Sequence, residues 1–135
     1  GSLSPADEMT FAKADSWMDW SLTSIYSDII ATCFLQLIRT PVRDRDVKAV
    51  EAAAKRAGER LRILDAQLKG RHYIMGENPT TADVAIGTLM YRYFNLPITR
   101  PDLPNVEAWY GRLTKRPAYQ AHVMVDFQSM KVPGA

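Results

Sequence analysis

The sequence predicts an all-α fold, a bundle of five to six helices. Three observations predict it. Apolar residues recur in steps of three and four along nearly the whole chain. No segment shows the two-residue alternation of a half-buried strand, and there is no internal repeat. Helix-stop signals such as Thr40-Pro41, Lys69-Gly70 and Asn95-Leu96-Pro97 divide the periodic segments. With 135 residues, 47% of them hydrophobic, the chain is long enough for one domain with a real core.

The first helix is expected to start near Ser4-Pro5-Ala6-Asp7-Glu8. Ser4 can cap it, Pro5 suits the first helical position, and the two acids favour the positive end of the dipole. Trp17, Met18, Trp20, Leu22, Ile25, Ile29, Cys33 and Leu37 are apolar, and Tyr26, Ile30, Phe34 and Ile38 form a second stripe. A helix apolar on more than one face is expected between other elements. Ser21, Thr23, Ser24 and Ser27 form a polar interruption, and the helix should stop before Thr40-Pro41.

A second helix is expected from Asp44 or Asp46 to Leu68. Val47, Val50, Ala54, Ala57, Leu61, Leu64 and Leu68 form its apolar stripe, and Gly70 is suited to the left-handed position beyond its end. The third helix follows Gly76-Glu77-Asn78-Pro79. Its body, Ala82 to Tyr93, carries almost no charge after Asp83, so it belongs at the centre of the bundle. A fourth is expected over 105–116, with Val106, Trp109, Tyr110 and Leu113 on one face, and a short fifth begins at Pro117. Residues 1–3 are set aside, Gly1-Ser2 reading as a cloning scar. Residues 4–128 form the helical domain, and 129–135 are expected to be a flexible tail.

Thr80-Thr81-Ala82-Asp83 reads as a capping box. Thr80 can accept from the start of the third helix while Asp83 reaches back to the Thr80 amide. Pro79 and Val84 stand where a hydrophobic staple would. The box satisfies donors that would otherwise be buried unpaired, each costing about 1–3 kcal/mol. Thr80 and Asp83 are therefore structural N-cap residues without a chemical role.

Other chemistry is excluded or thinly supported. The single cysteine, Cys33, cannot form a disulfide within the chain, so a reducing, cytoplasmic setting is the expectation. Cys33 sits among Ile29, Ile30, Phe34 and Leu37 and reads as a small buried hydrophobe. His72 and His122 lie far apart, and neither has Glu59 or Asp65 at a ligand spacing, so no metal site is expected. His72 near a helix C-terminus reads as a dipole partner. No run of about 18 uninterrupted apolar residues marks a membrane span. Residues 39–72 carry ten bases and five acids, against one base and five acids in 1–38. In the basic stretch Lys48, Glu51, Lys55, Glu59 and Arg62 alternate in sign at helical neighbour spacings, with no aromatic among them. That describes a solvated helix face rather than a nucleic-acid surface.

Taken in order, Leu61-Arg62-Ile63-Leu64-Asp65-Ala66-Gln67-Leu68, Tyr73-Ile74-Met75-Gly76 and Thr80-Thr81-Ala82-Asp83-Val84 resemble the surroundings of the buried capped helix of glutathione S-transferases. Leu96-Pro97-Ile98, Arg100-Pro101-Asp102-Leu103-Pro104-Asn105-Val106, Trp109-Tyr110 and Arg116-Pro117-Ala118-Tyr119 resemble that family's closing helices. Trp17-Met18-Asp19-Trp20 and Gln36-Leu37-Ile38-Arg39-Thr40-Pro41 resemble the long helix of its bacterial members. The resemblance covers about Ala12 to Val123, the C-terminal helical domain of the family.

The resemblance implies a parent enzyme with an N-terminal thioredoxin-like domain, which is absent from this chain and which holds most of the glutathione site and the thiolate-activating residue. The chain alone is then expected to be inactive, with no catalytic residue of its own. It would supply the wall of a hydrophobic electrophile pocket and homodimer contacts, for detoxifying conjugation or thiol-dependent reduction with glutathione as co-substrate. By position in the long helix, Thr23 and Ser24 are the implied glutathione contacts, and Trp20, Tyr26 and Ile30 the implied pocket residues. Ser21 stands where many bacterial relatives carry Gln. Against these roles stand ordinary alternatives: helix Ser and Thr bond their own backbone, and aromatics at helical spacing belong to the core. The other reading of the same resemblance is a non-catalytic interaction module. Uncovered by a partner domain, the first and third helices should present apolar surface that favours self-association.

Overall fold

The computed structural model describes residues 3, 5 and 7–135. A helical rod runs from Glu8 to Ile38. It consists of α1 (Glu8–Ser24), a π-helical stretch (Ser27–Phe34) and α2 (Leu35–Ile38). Four further α-helices follow: α3 (Val47–Leu68), α4 (Thr81–Asn95), α5 (Pro104–Thr114) and α6 (Pro117–His122). Among the described residues there is no strand, only an isolated bridge between Tyr73 and Gly76 that closes a tight turn.

The start of α1 differs from expectation. Asp7 is the cap, accepting from the Thr10 amide at 2.9 Å. Pro5 lies before the helix rather than in its first turn, and the cap expected of Ser4 lies outside the described residues. At α3 Asp46 is the cap, accepting from the Ala49 amide at 3.0 Å. Beyond its end Gly70 takes φ +74°, a conformation that favours glycine. The α3 stripe is buried except at Val47, which is 59% exposed because it sits in the first turn with no helix over it.

The π-helical stretch resolves the two competing stripes of the rod. Its bonds skip one more residue per turn, as in Leu35 N–H to the Ile30 carbonyl. Ile25 and Ile29 enter one core with Leu61, Leu64, Ile86 and Trp109. Cys33, Phe34 and Ile38 enter a second with Val50, Ala53, Leu96 and Phe127. By length and composition alone the rod could cross a membrane. Its packing is instead that of a bundle helix, with α1 lying on α4 and the π-helical stretch on α3.

In the central helix α4 only Val84 and Asn95 are exposed. Gly87 allows the closing helices to approach it: an added Cβ would lie 2.8 Å from Leu113 Cδ1, and the Tyr119 hydroxyl donates to the Gly87 carbonyl at 2.7 Å. The segment 129–135, expected to be flexible, is tied to the body. The Val132 amide donates to the Ile38 carbonyl (3.1 Å), the Gly134 carbonyl accepts from the Val42 amide (2.7 Å), and Arg39 donates to the Met130 carbonyl (2.7 Å). These bonds satisfy backbone groups at the end of the rod. Leu3, set aside above, accepts from the Thr81 amide at 3.2 Å.

Candidate functional site

The polar centre of the bundle is Asp83, which is completely buried. One of its oxygens accepts from the Thr80 amide (2.8 Å) and hydroxyl (3.3 Å), while Thr80 Oγ1 accepts from the Ala82 amide (3.3 Å). The other accepts from the Ile74 amide (3.0 Å) and Trp109 Nε1 (2.9 Å). The carboxylate thus ties the start of α4 to the 73–76 turn and to α5. All four donors are neutral and its capacity as an acceptor is filled, so it has a holding role rather than a free lone pair for chemistry.

Asp65 is a second remote cap. Its carboxylate accepts from the amides of Asn105 (2.9 Å) and Val106 (3.0 Å), at the start of α5. The residue preceding α5, Leu103, offers no side-chain cap of its own. Asp28 is 5% exposed in the π-helical stretch and meets Arg56 at 2.9 Å and Arg60 at 3.1 Å. Both arginines come from α3, one turn apart. A lone acid in the apolar run from Ile25 to Ile38, opposite a helix with Arg at i and i+4, was the signal for this cluster.

Along α1 Trp17 and Trp20 meet edge to face, with centroids 5.2 Å apart. Thr23 is exposed, and its hydroxyl donates to the Asp19 carbonyl at 3.0 Å, so it bonds its own helix. The Ser24 carbonyl accepts from Arg60 at 2.7 Å. Ser21 is buried, donating to the Met18 carbonyl at 2.7 Å. Tyr26 is exposed, and Ile30 is half-buried between the two cores. Six residues at about 100° each place Trp20 and Tyr26 on different flanks of the rod, roughly 120° apart. Trp20, Tyr26 and Ile30 border neither of two cavities in this chain. Of these, a polar hollow of about 400 Å³ lies between the start of α1 (Lys13, Trp17) and the end of α3 (Gln67, Arg71).

The buried acidic hydrogens are held in place rather than released. Burial, aided by the neighbouring Asp28 charge, pushes the Cys33 thiol up to about 11. Burial pushes the Tyr93 phenol up to about 12 and raises that of Tyr119 still further. His72 does not meet the end of α3; its Nδ1 lies 2.6 Å from Glu77 across the turn. Among the described residues no three His, Cys, Asp or Glu side chains gather into a metal-binding group.

The family model described as "Glutathione S-transferase, C-terminal domain" matches residues 22–117. The chain is 34% identical over 114 residues to glutathione S-transferase GstB of Escherichia coli K12, covering 84% of this chain and 54% of that protein. It superposes with a TM-score of 0.86 and 37% identity on the theta class glutathione S-transferase of Xanthomonas axonopodis pv. citri, solved with glutathione bound, over 92% of this chain and 59% of that one. The fold is shared with the Bombyx mori glutathione transferase BmGSTD1, with a TM-score of 0.74 at 23% identity over 96% of this chain and 57% of that one. The chain spans about half the length of the curated relatives it matches.

Proposed function

The chain belongs to the glutathione S-transferase family through its C-terminal domain, and from that premise we propose that it is the helical half of a two-domain transferase. A thioredoxin-like domain supplies the glutathione site and the group that activates its thiol. This half supplies the wall of a pocket for a small hydrophobic electrophile that the other domain closes, with Tyr26 and Ile30 lining it and Trp20 at its far edge on the neighbouring flank of the rod. Thr23, or its neighbour Ser24, contacts the bound glutathione, and the assembled protein is a cytoplasmic homodimer.

The observation that carries this reading is the outer surface of α1. Phe11, Leu22 and Tyr26 are 52, 62 and 42% exposed, and their spacings of eleven and four put them on one side of the rod. The neighbouring flank, roughly 90° round the rod at Ala14, Ser21 and Ile25, is sealed. Apolar side chains aligned on one flank of a bundle helix fit a covering domain. The nucleophile is the thiolate, which a hydroxyl, a cation or a helix N-terminus can stabilise. The Tyr119 hydroxyl is engaged by Gly87, and that of Tyr93 is sealed in the core.

The test is glutathione binding by calorimetry, on the 135-residue chain and on the same chain joined to an upstream thioredoxin-like domain. Binding only by the joined protein, weakened by Thr23→Val, is the expected result. Binding by neither would move the protein to the other reading, a non-catalytic interaction module. Binding by the 135-residue chain alone would overturn the split site.

A further inference from the structure

The helical conformation of the rod lapses at Ile25, between α1 and the π-helical stretch. Its φ of −122° and ψ of −25° leave the helical range, while its side chain is fully buried. From α3 a single nitrogen spans the lapse. Arg60 Nη1 donates to the Ser24 carbonyl at 2.7 Å, before it, and to Asp28 Oδ2 at 3.1 Å, beyond it. Arg56, one turn earlier on α3, donates to Asp28 Oδ1 through Nε (3.2 Å) and Nη2 (2.9 Å), and among the described residues it reaches no other acceptor.

The two arginines therefore do different things. Arg56 gives the buried Asp28 carboxylate a cation and two charge-assisted bonds. Arg60 binds the other oxygen, but its bond to the Ser24 carbonyl neutralises no charge. What that bond does is fix the Ser24 peptide relative to α3, and a planar guanidinium with its N–H groups in a rigid fork suits the task. The lapse also divides residues assigned above to one site. Thr23 and Ser24 lie before it, Tyr26 and Ile30 beyond it. The backbone at Ile25 sets the angle between the two pairs, and a displacement of about 1 Å at such contacts weakens them severely.

We infer that Arg60 is a positioning residue for glutathione: through the Ser24 carbonyl it holds Thr23 and Ser24 in the direction from which they meet the bound molecule. Arg60 acts through that segment and makes no contact of its own with glutathione. This role rests on the transferase reading, and the two fail in different ways.

The test combines hydrogen exchange on the 135-residue chain with glutathione calorimetry on the chain joined to an upstream thioredoxin-like domain. Both arginine side chains are about half exposed, so methionine at either position keeps the fold. In the 135-residue chain, the amides of residues 25–29 should exchange several-fold faster in Arg60→Met than in Arg56→Met. In the joined protein, Arg60→Met should weaken glutathione binding about five- to tenfold, while Arg56→Met leaves it within about twofold. On a Thr23→Val background the Arg60→Met loss should shrink to about twofold or less, because its route runs through that segment. Equal exchange in the two arginine variants, unchanged binding in Arg60→Met, an equal loss in Arg56→Met, or full additivity with Thr23→Val would each overturn this role while the transferase reading stands. A joined parent protein that binds no glutathione would overturn both.

Discussion

Two carboxylates are buried in this bundle, and they are compensated in opposite ways. Asp83 is met by four neutral donors from the start of its own helix, a turn and a distant tryptophan. Asp28 is met by two cations whose side chains are 49 and 45% exposed. The difference is one of consequence. Around Asp83 every donor is itself in the core, so removing the acceptor leaves unpaired groups that water cannot reach. Around Asp28 the arginines can turn back to solvent. The first carboxylate organises the interior, and the second fastens the π-helical stretch to α3 at its edge.

The largest expected effect is at the first centre. Asp83→Ala should cost roughly 3–5 kcal/mol in chemical denaturation, above the 1–2 kcal/mol of an ordinary cap, because the Ile74 amide and the Trp109 indole lose their acceptor as well. A loss no greater than that of a surface cap would erase the contrast. Trp109→Phe removes one of the four donors and some packing, and should cost about 1–3 kcal/mol by the same measurement. Asp28→Asn should cost less, about 1–2 kcal/mol, and its difference from the parent protein should narrow in 1 M salt, whereas that of Asp83→Ala should not. Equal salt dependence at both centres would show that the two are not distinct in kind.

The smallest effect concerns Cys33, near Asp28. Its folded value of about 11 lies above the 9.0 of an unperturbed thiol. The neutral thiol therefore contributes stability that is fully present below pH 9 and lost as pH rises toward 11. Native protein at pH 8 should react slowly with a disulfide reagent, and unfolded protein at once. Since burial is the main cause and Asp28 the lesser one, Asp28→Asn should move the onset of thiol ionisation only slightly downward. A large shift would mean that charge, not burial, governs that end of the molecule.

These two centres also mark what could be read in advance. The Thr80–Asp83 box is local, its partners three residues apart, and the sequence pattern announces it. The link from Asp83 to Trp109 spans 26 residues and depends on how α5 is laid across the bundle. The same holds for Asp65, whose partners at 105 and 106 lie 40 and 41 residues away. Asp28 is likewise joined to arginines 28 and 32 residues away, so the lone acid and the Arg56–Arg60 pair are matched only once α3 is docked on the rod. The all-α architecture and the α3 and α4 cores were legible from periodicity. The seating of 129–135 was not, because its partners are backbone groups at Ile38 and Val42 and the Arg39 side chain, about 90 residues away and without a pattern that links them to it. The implied pocket residues share one rod but not one flank, which spacing alone does show once it is counted as an angle.

The wide turns between Ser27 and Phe34 give the rod a property that its sequence length conceals. A π-helical turn behaves as a regular turn with one residue added. Were this stretch to close into ordinary α-helix with all its residues kept, everything beyond it would swing by about 100° relative to Trp17 and Trp20. Ile38 would then leave the second core. The stretch acts as a phase offset, allowing one straight helix to address two cores whose directions differ. A one-residue deletion within this stretch would therefore disturb the second core less than the same deletion elsewhere in the rod.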